Sequence, residues 1–151
     1  MSLLEIKNLN LTYPNGKKIF ENAEISLQAG ESQALWSPNG TGKTSLFRVI
    51  TGLLKPQAAD IYLEDKAVSD EAGFKALRLK VGFVLQHADD QLFFPQVIDD
   101  VAFGPLNQGL SEEEARKVSE EALSTLGILE LKDALSYELS GGQKKLVTLA
   151  C

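Results

Sequence analysis

The chain has 151 residues, with 15 Lys and Arg against 21 Asp and Glu, for a net charge of −6. That length suits one domain, and an acidic balance without a Lys/Arg cluster argues against nucleic acid as a partner. The lone cysteine, Cys151, excludes an internal disulfide and fits a reducing compartment, while no apolar run approaches the ~18 residues of a membrane span. Met1 to Lys7 lacks the charged start and long apolar core of a signal peptide. A cytosolic location is therefore expected, with any membrane contact made through a partner, and Cys151 reads as an unreactive terminal residue.

Leu4, Ile6, Leu9 and Leu11 alternate roughly with polar residues, which predicts a half-buried strand. Tyr13 follows, and Pro14-Asn15-Gly16 predicts a turn. A second strand covers Ile25 and Leu27 and ends at Ala29-Gly30-Glu31; a third, Gln33 to Trp36, feeds a glycine-containing turn. A helix is predicted over Lys43 to Ile50, with Leu46, Phe47, Val49 and Ile50 as its core face. Gly52 stops it and Pro56 blocks its continuation. Asp60 to Leu63 reads as a strand, Glu71 to Leu79 as a helix, and the apolar run Val81 to Leu85 as a buried strand with Gln86 at its C-terminal end. Val97 to Phe103 is predicted as a short helix stopped by Gly104-Pro105. Ser111 and Glu114 form a capping box for a helix that turns Ala115, Val118, Ala122, Leu123 and Leu126 inward and ends at Gly127.

The run Ser37-Pro38-Asn39-Gly40-Thr41-Gly42-Lys43-Thr44-Ser45 lies between a predicted strand and a predicted helix. This is the layout of a phosphate-binding loop. Successive backbone N–H groups form a concave nest for an anion, and the helix N-terminus adds unpaired donors and the positive end of its dipole. Lys43 can reach the outer phosphates, and the Thr44 hydroxyl can ligate the Mg²⁺ that accompanies them. The strict pattern has glycine where this chain has Ser37. If that position needs a positive φ, a Cβ there costs about 1–2 kcal/mol, or about tenfold in phosphate affinity. Leu139-Ser140-Gly141-Gly142-Gln143 prepares a second helix N-terminus, with Ser140 as its cap. Ser37 and Gln86 both sit at predicted strand C-termini, where open α/β sheets bind ligands. His87 with Asp89 and Asp90 lacks metal-ligand spacing and reads as a solvated loop.

Together these residues resemble the nucleotide-binding subunit of ATP-binding-cassette transporters. Ser37 to Ser45 looks like the family's Walker A loop, and Leu139 to Gln143 matches its signature motif. The resemblance implies an α/β, P-loop NTPase fold: an antiparallel β subdomain and an incomplete core sheet, all of 1–151 forming one partial ATP-binding domain. It also implies that Tyr13 stacks on adenine, and that Gln86 touches Mg²⁺ and reports to a membrane partner. ATP and Mg²⁺ are the implied cofactors. Two such subunits, identical or different, sandwich two ATPs, so Ser140, Gly141, Gly142 and Gln143 serve the nucleotide of the partner subunit. Asp89 to Phe94 and Asp99 to Leu106 resemble the energy-coupling-factor and cobalt-type importers of vitamins or metal ions. There the segment after Gln86 faces an integral membrane subunit at the inner face of the membrane. Phe93, Phe94 and Phe103 read either as that docking surface or as core.

The family continues beyond the signature into a Walker B strand, a catalytic Glu, a D-loop and a switch His, none of which lies within these 151 residues. Negligible ATP turnover by the chain alone is expected, because no group to activate water remains. Four departures accompany this: Ser37, Ala58-Ala59-Asp60 in place of a Ser-Gly-Glu turn, Asp65 at a usual turn glycine, and Leu146 at a usual Arg. They point to a degraded or frame-interrupted gene product. The alternatives are a non-hydrolysing nucleotide- or partner-binding remnant, and a soluble ABC protein of repair or translation, which the acidic balance disfavours.

Overall fold

Four apolar side chains on the first strand set the inner face of the sheet. Strand β1, Ser2–Thr12, buries Leu4, Ile6, Leu9 and Leu11. Leu9 lies three residues after Ile6, so strict alternation would turn it outward. A register shift between Ile6 and Leu9 corrects this, and Asn8 bends the backbone at φ 53°. Asn tolerates that region better than most residues. The computed structural model describes residues 2–151, which form two units, one ending at Phe83 and the other beginning at Val84.

In the first unit, β1 pairs antiparallel with β2, Lys18–Gln28, placing Ile6 opposite Ile25 and Leu4 opposite Leu27. On its other side it pairs with β3, Ala58–Leu63, which pairs in turn with β4, Lys66–Ala67, giving the order β2-β1-β3-β4. The β1–β2 turn closes with Tyr13 N–H donating to the Lys17 carbonyl at 2.9 Å and Gly16 N–H to the Tyr13 carbonyl at 2.9 Å. Glu64 and Asp65 both take positive φ at the β3–β4 turn, 49° and 62°, so Asp65 occupies a left-handed position that glycine fits without strain. Helix α1, Lys43–Ile50, packs Leu46, Val49 and Ile50 into the core and also buries Ser45. Phe47, expected inside, is instead 44% exposed; its ring lies 6.1 Å from that of Phe83. Helix α2, Glu71–Arg78, starts where the Asp70 carboxylate accepts from Gly73 N–H at 2.8 Å.

Two expected strands do not form. Gln33 to Trp36 and Val81 to Leu85 carry no strand pairing. A strand needs its N–H and C=O groups bonded to a neighbour, and among the described residues no neighbouring strand meets either run. Instead Leu27, Leu35, Phe47, Ile50, Val81 and Phe83 help line an open groove of about 650 Å³. Val81 to Leu85 is accordingly only partly buried, and Gly82 is exposed.

The second unit is helical. Helix α3, Val97–Asn107, runs through Gly104 and Pro105 rather than stopping before them. Pro105 removes one donor, yet Gln108 N–H still bonds the Gly104 carbonyl at 3.1 Å, and Gly109 at φ 94° ends the segment. Helix α4, Glu112–Thr125, has the expected capping box, Ser111 with Glu114. Its inner face is Ala115, Ser119 and Leu123; Val118 is 44% exposed, and the Ser119 hydroxyl donates to the Ala115 carbonyl at 2.7 Å. Helix α5, Gly141–Ala150, supplies Val147 to a core with Val97, Ile98, Val101 and Leu123. No helix among the described residues is long and apolar enough to cross a membrane.

Candidate functional site

The loop entering α1 is shaped by two glycines. Gly40 has φ 79° and Gly42 has φ 109°, conformations that cost an L-residue with a Cβ. Gly42 is also sterically confined: a Cβ there would lie 2.2 Å from Ile19 Cγ2 and 3.3 Å from Phe20 Cζ, both on β2. Ser37 is not among the residues with positive φ. The expected left-handed strain at Ser37 is therefore absent, and that route to tenfold weaker phosphate binding falls away.

Gly42 is the N-cap of α1 and its carbonyl accepts from Leu46 N–H at 2.9 Å. Gly42 offers no side chain to bond the first turn. The N–H groups of Lys43, Thr44 and Ser45 have no hydrogen-bond partner among the described residues. These are the orphan donors of a helix start, joined here by the positive end of the dipole. No acidic residue occupies the first turn to neutralise them.

Two lysines meet this loop. Lys43 Nζ donates to the Ser37 carbonyl at 2.7 Å, the Pro38 carbonyl at 2.9 Å and Ser37 Oγ at 3.3 Å. Lys17 Nζ donates to the Gly40 carbonyl at 3.0 Å. Lys17 was not singled out in the sequence. Its place beside the β1–β2 turn, 23 residues before Gly40, gives no spacing signal; only the folded hairpin brings it to the loop. Tyr13 arrives by the same hairpin. Its ring packs partly against the core, and its hydroxyl meets Ser45 Oγ. Thr44, next to Ser45, is exposed. Tyr13, Ser37 to Ser45 and Lys17 thus converge at one helix N-terminus.

The arrangement fits a polyphosphate with its divalent cation. It offers two ammonium groups, three free N–H donors and a hydroxyl within one short stretch. Among the described residues no cluster of His, Cys, Asp and Glu could hold a metal ion alone, so any Mg²⁺ at this loop needs phosphate oxygens beside the Thr44 hydroxyl.

The other expected site residues belong to the second unit. Gln86 is exposed and its carbonyl accepts from Lys145 Nζ at 3.1 Å. Asp89 pairs with Lys144 at 2.6 Å. Ser140 and Gln143 form a reciprocal capping box: Gln143 N–H donates to Ser140 Oγ at 3.3 Å, and the Gln143 side-chain carbonyl accepts from Ser140 N–H at 2.9 Å. The box leaves the N–H groups of Gly141 and Gly142 pointing out of the helix start, and a Cβ at either would meet nothing within 4 Å. Phe93, Phe94 and Phe103 cluster with centroids 4.7 to 5.7 Å apart, yet Phe93 is 64% and Phe103 42% exposed. Their loop is pinned from below by Asp100, only 4% exposed, whose carboxylate accepts from Phe93 N–H at 2.9 Å, Phe94 N–H at 3.0 Å and the Ser136 hydroxyl at 3.1 Å. Asp100 was not recognised as a fastener in the sequence, although an Asp three residues into a helix, just after a Phe-Phe-Pro turn, could have signalled one. Cys151 is exposed as a residue, but burial around its sulfur, then the charge of Asp100, pushes the thiol up to about 12. The sulfur donates to the Val147 carbonyl at 3.2 Å, which leaves it a poor nucleophile.

Comparison with known proteins agrees with the loop geometry. The family model described as ABC transporter matches residues 20–151. An energy-coupling factor transporter ATP-binding protein of Methanosphaera stadtmanae is 41% identical over 150 residues, covering 99% of this chain and 54% of that protein. A cobalt import ATP-binding protein of Rhodobacter capsulatus is 43% identical over 149 residues, covering 98% of this chain and 53% of the relative. A solved structure from Clostridium perfringens, described as cbiO1 and part of the ABC transporter complex cbiONQ, superposes with a TM-score of 0.86 at 37% identity. The match covers 99% of this chain and 60% of that one. The chain thus spans about half the length of the curated relatives it matches. Its fold is that of the P-loop ABC ATPases, and the chain belongs to the ABC transporter family.

Proposed function

We propose that these residues form the ATP-binding portion of an importer of the energy-coupling-factor or cobalt type, carrying a vitamin or a metal ion. The observation that supports this most directly is the loop at α1: three unpartnered N–H groups, Lys43 and Lys17 around a turn that Gly42 alone can occupy. In this reading the loop and Lys43 hold the phosphates, the Tyr13 ring stacks on adenine, and Thr44 and Gln86 attend Mg²⁺. Bound ATP supplies the phosphoanhydride whose cleavage drives transport. Ser140, Gly141, Gly142 and Gln143 serve the nucleotide of a second ATP-binding subunit, through the two outward N–H groups left by the capping box. The exposed ring cluster Phe93, Phe94 and Phe103 docks an integral membrane subunit, which holds the protein at the inner membrane face. Exposed aromatics are enriched at interfaces, and Asp100 fixes the loop that displays these three.

The test is titration of the purified chain with a fluorescent ADP analogue and Mg²⁺. Lys43 provides charge-assisted bonds of about 1.5–3 kcal/mol, so Lys43→Ala is expected to weaken binding by roughly 10- to 150-fold. Equal affinity of the two proteins would exclude the loop as the nucleotide site. Turnover of ATP is expected to be negligible for the chain alone; robust hydrolysis would refute that expectation.

A further inference from the structure

Ser37 does more than fill a glycine position. Thr41 Oγ1 donates its only proton to the Pro38 carbonyl at 2.8 Å. The 2.6 Å contact between Ser37 Oγ and Thr41 Oγ1 must therefore use the Ser37 proton, since a hydroxyl has one O–H and two lone pairs. Ser37 Oγ is then left as an acceptor for Lys43 Nζ at 3.3 Å, while Lys43 also donates to the Pro38 carbonyl at 2.9 Å. The bonds close a ring: Lys43 ammonium to Ser37 hydroxyl, Ser37 to Thr41, Thr41 to the Pro38 carbonyl, and that carbonyl back to Lys43. A glycine at 37 cannot close it. No carboxylate takes part in the ring; the lysine charge is matched by oxygens of the loop itself.

We propose that Ser37 is a latch on the phosphate loop. Its hydroxyl adds a third acceptor for Lys43, at 3.3 Å, to the Ser37 carbonyl at 2.7 Å and the Pro38 carbonyl at 2.9 Å, so a nucleotide phosphate must break this bond as well to engage the lysine. Ser37 thereby sets the loop's affinity without touching the nucleotide's chemistry, and it acts as a positioning residue for Lys43. This rests on the nucleotide-binding reading of the loop.

The test compares Ser37→Ala, Ser37→Gly and Ser37→Thr in the full chain. Ser37 has no positive φ, and alanine separates the latch from any residual backbone strain, since either would make serine a weaker binder than glycine. A Cβ keeps any strain, so the strain account predicts relief only in Ser37→Gly. The latch account predicts relief in Ser37→Ala as well, because only the hydroxyl matters. Releasing one ordinary hydrogen bond corresponds to about two- to tenfold tighter binding of Mg-ADP by calorimetry. Ser37→Thr, which keeps the hydroxyl, should stay within about twofold of the natural chain. Thr41→Ala opens the same ring elsewhere, so its effect and that of Ser37→Ala should not add. Unchanged or weaker binding by Ser37→Ala would overturn the latch.

A second readout needs no nucleotide. Trp36, the only tryptophan in the chain, adjoins Ser37 and is 97% exposed. Opening the ring removes one restraint on the segment next to Trp36, so its emission anisotropy should fall in Ser37→Ala and not in Ser37→Thr. Equal anisotropy in the three proteins also overturns the latch. If no form binds Mg-ADP, the nucleotide reading of the loop fails, and the anisotropy alone decides whether Ser37 holds the ring.

Discussion

Gly42 is where sequence and packing constrain the site most tightly, and the cost of altering it can be worked from two independent terms. Gly42→Ala places a Cβ on a residue at φ 109°, a conformation that costs an L-residue about 1–2 kcal/mol. The same Cβ would lie 2.2 Å from Ile19 Cγ2, so the loop or the β2 side chain must move by more than 1 Å, and overpacking of this kind costs about 1–3 kcal/mol. Loss of unfolded-chain freedom returns about 0.4–1 kcal/mol. The net expectation is about 1–5 kcal/mol, a large part of a domain stability of about 5–15 kcal/mol. Gly40→Ala separates the terms. It has a similar left-handed backbone, at φ 79°, but its nearest neighbour is Lys17 Nζ at 4.0 Å. It should cost about 1 kcal/mol, from strain alone. Urea unfolding followed by far-UV circular dichroism measures both. Removing Ile19 Cγ2 by Ile19→Ala should then recover the overlap term, leaving the double variant about 1–3 kcal/mol more stable than the two single changes predict together. Additivity within about 0.5 kcal/mol, or equal losses for Gly40→Ala and Gly42→Ala, would refute the claim that β2 sets the shape of the loop.

Two further outcomes are expected in the second unit. Asp100→Ala removes the acceptor of three hydrogen bonds, one buried and two partly buried, and should destabilise the chain by about 3 kcal/mol, since bonds to a charged group are worth about 1.5–3 kcal/mol each and do not add fully within one network. A loss below about 1 kcal/mol in urea unfolding would contradict its role under the Phe93–Phe94 turn. Glu114 gives a pH signature. The Ser111 hydroxyl, then the Ser111 N–H, holds its carboxyl below the ordinary 4.5, so its stabilisation is fully present above that value and is lost as pH falls through the lower folded value. The thermal midpoint of the natural chain should therefore drop more steeply below pH 4.5 than that of Glu114→Gln, which keeps the capping box without titrating; parallel curves would discount the carboxylate.

Features that depend on near neighbours were legible in the sequence. The capping boxes at Ser111 and Ser140, the start of α1 after Gly42 and the turn at Pro14-Asn15-Gly16 each occupy a few consecutive residues, and each is found where the spacing placed it. Strand β1 was readable because its apolar side chains face one core. The failures share a cause in distance. Gln33 to Trp36 and Val81 to Leu85 have strand composition, but strand structure is a property of pairs, and no neighbouring strand among the described residues supplies their hydrogen bonds. Phe47 and Val118 fit helical periodicity yet stay exposed, because a stripe position is buried only where another element covers it. Gly104-Pro105 has the composition of a stop, yet helix α3 loses only one donor there and carries on. The site itself was legible as a motif, from Ser37 to Ser45, but Lys17 and the ring through Ser37 Oγ were not, because both depend on folded distances.

The phosphate loop keeps a defined shape even though the segment leading into it is unpaired, and the reason lies in the antiparallel sheet. The loop is held from the side of β2: Ile19 and Phe20 press on Gly42, and Lys17 grips the Gly40 carbonyl. It is held from within by the ring of Lys43, Ser37, Thr41 and Pro38. It is held at its exit by the Leu46 bond to Gly42, while Tyr13 from the β1–β2 hairpin meets Ser45. None of these contacts passes through Gln33 to Trp36. The nucleotide cradle can therefore be preorganised by the hairpin and α1 alone, and the preceding segment can pair or stay unpaired without changing which donors the loop presents. Preorganisation of this kind reduces the ordering cost of binding. An incoming phosphate then has to displace the loop oxygens that hold Lys43, the Ser37 hydroxyl among them, rather than order the loop.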